Sequence, residues 1–162
     1  MKTAIEREFV RLGRRRLPMF RNDDICLIPR EYAHRVSRLD GACCMTFDVI
    51  DLASGRVAGE IALRLGEGEG LFYLGHIGYH IDPPYRGKRY AYQACCLCLP
   101  IFSEMSFRSF VVTTDEDNFP SIRTCEKLGC VLESTVDVPL WCVEEYSISH
   151  RKRRYVYQFS KA

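Results

Sequence analysis

Alternating apolar and polar residues predict a β-hairpin near the middle of the chain. Residues 44–50 are rich in apolar and β-branched side chains, residues 53–55 have the composition of a turn, and residues 56–65 alternate again. A period of two indicates a strand with one buried face, because successive side chains of a strand point to opposite sides. We therefore predict two antiparallel strands joined by a short turn.

Shorter apolar segments predict the remaining strands. They lie at residues 7–12 (unless this basic start of the chain is loose), 23–28, about 71–81, 107–114, 130–138 and 155–159. Pro29 is expected to end the second of these segments, and residues 30–39 are a weak helix candidate.

Two helices are predicted in the second half of the chain. An apolar stripe with helical spacing covers residues 90–105, and Pro100 interrupts it, so we expect a kink or an early end there. Residues 119–128 are predicted to form a shorter helix, with Pro120 in its first turn and Gly129 just past its end.

The order of these elements predicts the fold class. A run of antiparallel strands is followed by strand–helix–strand–helix–strand and a closing strand, which indicates an α/β (α+β) fold and not a doubly wound one. The expected architecture is a mixed, mostly antiparallel twisted sheet flanked by helices. We predict a single domain over residues 1–162, with residues 1–22 as its least certain segment.

Composition and charge exclude several classes of protein. The apolar fraction of 47% and the charged fraction of 27% are those of a soluble globular protein, not of a disordered or collagen-like one. A formal net charge of +2 gives no case for a nucleic-acid or membrane-surface binder. We interpret the basic runs at residues 14–16 and 151–154 as solvated loops.

The nine cysteines indicate a reducing compartment. Their number is odd and the first 16 residues lack the apolar core of a signal peptide, so we predict free thiols in a cytoplasmic protein. Cys95 and Cys98 form a C-x-x-C pair, but no second Cys or His pair lies at a zinc-ligand spacing. We expect buried thiols that pack like small hydrophobic side chains, and no metal site.

The candidate chemistry begins in the predicted strand around Gly78. Alternation places Ile77, Tyr79 and Ile81 on one face and the even-numbered residues 76–80 on the other. A glycine inside a strand indicates a bulge or the close approach of a ligand, although a packing glycine on a plain sheet face fits as well.

The loop after this strand has the composition of a phosphate site. Arg86, Gly87 and Lys88 lead directly into the predicted helix, whose first turn offers free N–H groups and the positive end of its dipole to a pyrophosphate. Lys88 and Arg89 add positive charge. The G-x-G-x-x-G and G-x-x-x-x-G-K-[ST] motifs are absent, which disfavours Rossmann and Walker sites. Taken alone, such a segment is more often a solvated basic loop.

Two segments carry a family resemblance. Residues 75–91 read GHIGYHIDPPYRGKRYA, and residues 118–130 read NFPSIRTCEKLGC. The first is similar to the acyl-CoA segment of the GNAT N-acetyltransferase superfamily, a splayed strand followed by an R/Q-x-x-G-x-G/A loop, and the second to its N-x-x-S helix ending in K-L-G. The resemblance covers roughly residues 45–138, and more loosely residues 23–159. The closest branch looks to be the one that acetylates ribosomal-protein N-termini and small amines.

The resemblance implies an acetyl-CoA site and a central strand pair that splays apart. The backbone of Tyr79, His80 and Ile81 would pair with the pantetheine amides, as an added strand pairs with an open sheet edge. Asn118 would hold the pantetheine arm near Ser121, although Asn118 also fits a plain helix cap. The pyrophosphate would be ringed by Arg86, Gly87, Lys88, Arg89, Tyr90 and Ala91.

Two positions depart from the family pattern. Arg89 replaces the second loop glycine, so a left-handed backbone there would be costly, and its side chain would instead grip a phosphate, including the 3′-phosphate of CoA. Cys125 stands where many members have a tyrosine that protonates the departing thiolate. It is either that acid or a buried core thiol, in which case water or Tyr85 would serve.

The implied reaction is direct attack of an amine on the thioester in a ternary complex, without a covalent intermediate. The catalytic base is expected to be His76 first, Glu60 (through water) second and His80 third. For each of them the alternative is a purely structural side chain.

The sequence therefore predicts an acetyl-CoA-dependent N-acetyltransferase that acts on a primary amine, either a small molecule or a peptide N-terminus. A non-catalytic acyl-CoA sensor or partner domain is the main alternative, and a basic RNA-associated module is a third. We expect no membrane partner, nucleic acid is disfavoured, and an exposed edge strand would allow a homodimer.

Overall fold

The structure, a computed structural model, describes residues 6–160 of the chain. Six strands form an antiparallel sheet whose strand order follows the chain. They are β1 (Glu6–Leu12), β2 (Arg15–Arg21), β3 (Ile25–Val36), β4 (Ala42–Asp51), β5 (Arg56–Leu65) and β6 (Ile77–Ile81). Three further strands, β7 (Ser109–Thr114), β8 (Val131–Asp137) and β9 (Arg151–Gln158), form a second antiparallel sheet in the order β7-β9-β8.

Four helices connect and cover these strands. They are α1 (Glu69–Leu74), α2 (Tyr90–Glu104), α3 (Phe119–Leu128) and α4 (Leu140–Tyr146). The predicted fold class, a mostly antiparallel mixed fold with flanking helices, is confirmed. Among residues 6–160, no helix has the length and hydropathy needed to cross a membrane.

The core lies between the six-stranded sheet and α2. On β5 the buried side chains are Ile61, Leu63 and Leu65, which alternate with more exposed neighbours as the sequence predicts. The predicted stripe of α2 supplies Ala94, Cys95, Leu97, Cys98, Ile101 and Phe102, all buried. Burial of a large apolar side chain contributes about 1.5–3 kcal/mol, so this interface fixes how α2 sits on the sheet.

The edges of the two sheets meet where β6 begins. The backbone N–H of His76 donates to the carbonyl oxygen of Val111 in β7, at 2.7 Å. Gly75 permits this approach, because a Cβ on it would lie only 3.0 Å from the backbone nitrogen of Thr113. Within the described residues no ladder joins β6 to β7 beyond this point. The predicted splayed strand pair is therefore present.

The helix predicted over residues 30–39 is wrong. β3 continues through Pro29 to Val36, and its pairing with β4 shifts register between Pro29 and Glu31. Proline has no N–H to donate to a ladder, and an irregularity of this kind lets a strand pass through it. Only a short 3-10 turn, Ser37–Leu39, follows the strand.

The long strand predicted over residues 71–81 is also wrong in its first half. The segment first forms α1, whose Leu71 is buried in a small cluster with Leu39 and Ala42. The strand begins only at Ile77. Neither β2 nor α4 is among the predicted elements.

The basic run at residues 151–154 is not a solvated loop. These residues begin β9, and Arg154 is only 6% exposed. Its Nε donates to Glu133 Oε2 at 2.7 Å, and its guanidinium lies 3.7 Å from the ring centroid of Phe72. The run at residues 14–16 is exposed, at the turn before β2 and in its first residues.

Pro100 does not end α2, which continues to Glu104. Of the two expected consequences, an early end is excluded. Gly129 has the expected left-handed conformation at the end of α3, with φ at 93°.

The buried carboxylate of Asp51 ties the start of α2 to the hairpin. Asp51 accepts hydrogen bonds from the hydroxyl of Ser54 at 2.6 Å and from the hydroxyl of Tyr90, the first residue of α2. These donors lower the pKa of Asp51, with the Ser54 hydroxyl as the largest cause. Because Asp51 is 2% exposed, its oxygens have little access to water and depend on these partners.

Replacing Tyr90 by phenylalanine should therefore destabilise the protein. We expect Tyr90→Phe to lower the thermal unfolding midpoint by about 2–4 °C, since one donor to a buried carboxylate is lost. Tyr85→Phe is the matched control, because the Tyr85 hydroxyl does not bond Asp51. Equal midpoints for both variants would contradict this account.

Candidate active site

A cleft of about 860 Å³ opens beside β6, where the two sheets separate. It is bounded by β6, by the loop before α2, by the first turn of α2 and by α3. Cavities of this size hold small-molecule ligands. Ten of the eleven residues predicted to bind the cofactor line it: Tyr79, His80, Ile81, Arg86, Gly87, Arg89, Tyr90, Ala91, Asn118 and Ser121.

Lys88 is the predicted residue that does not line the cleft. Its Nζ lies 5.4 Å from the ring centroid of Tyr85 and 3.8 Å from Asp51 Oδ1. The cleft gains charge instead from Arg123 and Lys127 on α3, which the sequence reasoning missed. Arg123 and Lys127 are four residues apart, so a helix places them on the same face, and this spacing could have indicated them.

The loop before α2 has an unusual backbone. Gly87 has φ at 81°, and Arg89 has φ at 61° and ψ at 26°, in the left-handed region. For a residue other than glycine this conformation costs about 1–2 kcal/mol. Arg89 thus keeps the backbone shape that a glycine would take freely, and it places a guanidinium on the wall of the cleft.

Asn118 caps α3. Its side-chain oxygen accepts a hydrogen bond from the backbone N–H of Ser121, at 3.3 Å. Asn118, Ser121 and Tyr79 also line a second, smaller cavity of about 140 Å³. These three residues are therefore the junction between the cleft and the smaller cavity.

The smaller cavity continues between β6 and β7. Its wall includes Arg64, Gly78, Thr113, Asp115 and Lys152, and the sequence reasoning singled out only Gly78 among these. They come from β5, β6, β7, the segment just after β7, and β9, so no local motif connects them.

Tyr79 carries an unpaired hydroxyl. The hydroxyl is buried and makes no hydrogen bond of normal geometry among residues 6–160, although the side chains of Ser121 and Thr124 lie near it. Burial raises the pKa of Tyr79 well above its usual range. Tyr79 is thus neutral at the junction of the two cavities.

His76 has both ring nitrogens engaged with the backbone. Nδ1 accepts from the N–H of Val111 at 3.0 Å, so Nε2 carries the proton and donates to the carbonyl of Gly66 at 3.1 Å. The ring lies against Phe107, and burial lowers the pKa of His76. His76 lines neither cavity. This placement favours the structural alternative over the role of a base.

The other candidate catalytic residues also lie apart from the junction. Glu60 is exposed and pairs with Arg30, with Oε2 2.6 Å from Nη2, and it lines neither cavity. Cys125 is 1% exposed in the core, where contact with the Cys130 thiol and burial raise its pKa. His80 lines the cleft, with Nε2 3.4 Å from Asp82 Oδ1.

Comparisons with known proteins identify the family. A family model described as "Acetyltransferase (GNAT) domain" matches residues 22–131, which is more than half of the chain. The chain therefore belongs to the GNAT acetyltransferase family. A search among proteins of curated function found none that matches.

Solved structures agree with this assignment. An acetyltransferase (GNAT family) from Bacillus anthracis has 26% identity and a TM-score of 0.54, with 70% of this chain and 65% of that chain covered. The ribosomal-protein-S5-alanine acetyltransferase from Vibrio fischeri has 19% identity, a TM-score of 0.55, and coverage of 71% and 61%. The microcin C7 self-immunity acetyltransferase MccE, solved with acetyl-CoA and AMP, has 16% identity, a TM-score of 0.56, and coverage of 72% and 61%. This chain thus spans less than two thirds of the length of these three proteins.

The buried neutral imidazole of His76 makes the stability of the protein depend on pH. Its pKa in the folded state is below the ordinary value of 6.5, so the unfolded chain takes up a proton first as the pH falls. The stability contributed by the neutral ring is complete above pH 6.5 and is lost below it. His76→Gln keeps a donor and an acceptor but does not titrate.

We therefore expect the free energy of unfolding to fall more steeply for the wild type than for His76→Gln between about pH 7.5 and about pH 5.5. Urea unfolding at several pH values measures both curves. Parallel curves would show that His76 does not control this range.

Proposed function

We propose that this GNAT protein is an acetyl-CoA-dependent N-acetyltransferase that acts on a primary amine. The observation that carries the proposal is the cleft beside β6, which gathers ten of the residues expected to bind acetyl-CoA. The acceptor class we propose is a small molecule or a peptide N-terminus. The similar proteins include a ribosomal-protein-S5-alanine acetyltransferase and a microcin C7 self-immunity acetyltransferase, and they are consistent with either acceptor.

The chain's own groups fit the diphosphate of CoA. The first turn of α2 has backbone N–H groups without partners inside the helix, and its dipole favours an anion. Arg89, Arg123 and Lys127 add positive charge to the same wall. The side chain of Arg86 is less available to bind the diphosphate, because its Nε already donates to the carbonyl of Ile81 at 2.8 Å.

The free edge of β6 fits the pantetheine arm. β6 pairs with β5 on one side, and beyond His76 its other edge has no strand partner among residues 6–160. Tyr79, His80 and Ile81 would bind an extended arm there as they would bind an added strand. The thioester would then reach the junction formed by Tyr79, Asn118 and Ser121.

The proposed reaction is a direct transfer. Strand N–H groups at the junction would polarise the thioester carbonyl, a neutral amine would form the new C–N bond, and the C–S bond would break to release the thiol. The proton on the attacking nitrogen would leave through the open cleft, where His80 lies on the wall, and water would protonate the departing thiolate.

A non-catalytic acyl-CoA sensor is the second candidate. The observation that favours it is the placement of His76, Glu60 and Cys125 away from both cavities. Such a protein would bind acetyl-CoA and leave the thioester intact.

Thermal unfolding with ligands and a thiol-release assay separate these candidates. Acetyl-CoA at 100 times its Kd should add about 2.7 kcal/mol of stability, whereas pantetheine, which lacks the diphosphate, should add much less. Thiol release that depends on an amine, tested over a broad panel, supports the enzyme. Stabilisation without release supports the sensor, and no response to acetyl-CoA overturns both.

Arg89 should contribute directly to binding of CoA. We expect Arg89→Gly to raise the Kd for CoA about tenfold, because a charge-assisted contact with a phosphate is lost while the left-handed backbone is kept. Lys88→Ala is the matched control, since it removes a charge from the same loop but not from the cleft. Calorimetry measures both.

A second titration with 3′-dephospho-CoA locates the contact. If Arg89 binds the 3′-phosphate, Arg89→Gly should not weaken binding of this analogue further. Unchanged affinity of Arg89→Gly for CoA itself would contradict the role.

A further inference from the structure

Arg64, near the end of β5, has a largely buried guanidinium that pairs with no acidic side chain of the described residues 6–160. Its Nη1 donates to the carbonyl of Gly75 at 3.2 Å and, more weakly, to that of Leu74 at 3.5 Å. Among residues 6–160 no carboxylate lies within ion-pair distance of it. Burial is the largest cause and lowers the pKa of Arg64; the neighbouring Cys44 raises it, and the positive charge of Arg38 lowers it.

Two other largely buried cations are paired, whereas the buried Nε of Arg153, which lines neither cavity, makes no hydrogen bond among residues 6–160. Lys152 binds Asp115 at 2.6 Å, and Arg154 binds Glu133 at 2.7 Å. A buried charge is costly unless a partner compensates it, so these pairs are the expected arrangement. Arg64 departs from it.

Gly78 makes room for this guanidinium. A Cβ on Gly78 would lie 2.8 Å from Nη2 of Arg64, so any other residue would displace the side chain. Because Gly78 has no side chain, the guanidinium of Arg64 can lie directly against the backbone of β6. The remaining donors of the planar guanidinium make no hydrogen bond within the described part of the chain.

Arg64 lies in the cavity next to the junction where we propose that acetyl transfer takes place. Arg64 lines the smaller cavity, which shares Tyr79, Asn118 and Ser121 with the cleft that we assign to acetyl-CoA. The Asp115–Lys152 pair lines this cavity as well, and its opposite charges offset each other. The uncompensated charge on this wall is therefore the positive charge of Arg64.

We propose that Arg64 binds a carboxylate of the acceptor, so that the substrates are primary amines that also carry a carboxylate. This inference rests on the proposed acetyl transfer at the junction. A carboxylate matches the planar fork of a guanidinium with two parallel hydrogen bonds. A cavity of about 140 Å³ has room for such a group but not for a nucleotide. The carboxylate belongs either to a free amino acid or to the acidic side chain of a peptide's first residue.

Pairs of matched acceptors test the proposal. ω-Amino acids are compared with n-alkylamines of the same chain length, and peptides that begin with Asp or Glu are compared with the same peptides beginning with Asn or Gln. We expect kcat/KM to be about 10- to 100-fold higher for the carboxylated member, the range of a charge-assisted hydrogen bond. The amino-acid pairs and the peptide pairs distinguish the two sources.

Variants of Arg64 connect this preference to the guanidinium. Arg64→Gln should abolish the preference, and Arg64→Lys, which keeps the charge but not the fork, should retain part of it. The affinity for acetyl-CoA is the control and should stay unchanged, because Arg64 does not line the larger cleft. If Arg64→Gln does not fold, the smaller preference of Arg64→Lys still tests the proposal.

A binding experiment makes the test independent of turnover. The protein saturated with CoA is heated with N-acetyl-β-alanine or with N-propylacetamide, the products of a carboxylated and a neutral amine. The first should stabilise the wild type more, and Arg64→Gln should respond equally to both. Equal stabilisation of the wild type by both products, or a preference that survives in Arg64→Gln, overturns the role of Arg64.

The two proposals can fail separately. Thiol release with equal efficiency for both members of each pair keeps the acetyltransferase and refutes the carboxylate site. Binding of the carboxylated product that depends on Arg64, without thiol release from any amine, keeps the site and refutes the acetyltransferase.

Discussion

The hydrogen bond from the N–H of His76 to the carbonyl of Val111 holds the two sheets together at the point where they begin to separate. Because β6 and β7 share no ladder beyond it within residues 6–160, one edge of β6 stays free. Gly75 allows the close approach, and the imidazole of His76 adds a second bond to Val111. The cleft, its junction and the smaller cavity all exist because the sheets meet here and then diverge.

The same point explains why the geometry favours a structural role for His76. A residue that joins two sheets must satisfy backbone groups on both sides, and both nitrogens of His76 do so. Its position just ahead of β6 turns the ring toward Phe107 and not toward the open side of the strand. The cleft offers backbone donors and the cations Arg89, Arg123 and Lys127, which outnumber its one lining carboxylate among the described residues, Glu126, and suit the binding of an anion.

Local motifs predicted residues that line the cleft, because these residues are close in the chain. Strand, loop and helix start lie within residues 77–92, and their order alone brings Arg86, Gly87 and Arg89 to one wall. The lining of the smaller cavity was not predictable in this way. Arg64 and Lys152 come from β5 and β9 and Asp115 from the segment just after β7, and only the tertiary structure reveals that Arg64 has no acidic partner among residues 6–160.

The sequence by itself determined the class of fold, the hairpin of β4 and β5, the buried stripe of α2 and the capped helix α3, since each depends on the periodicity or capping chemistry of neighbouring residues. Only the tertiary structure decided that residues 30–36 extend β3, that residues 69–74 form α1, and that Arg154 is buried. In each of these cases pairing or packing with distant residues outweighed a weak local preference, and such partners cannot be read from one segment alone.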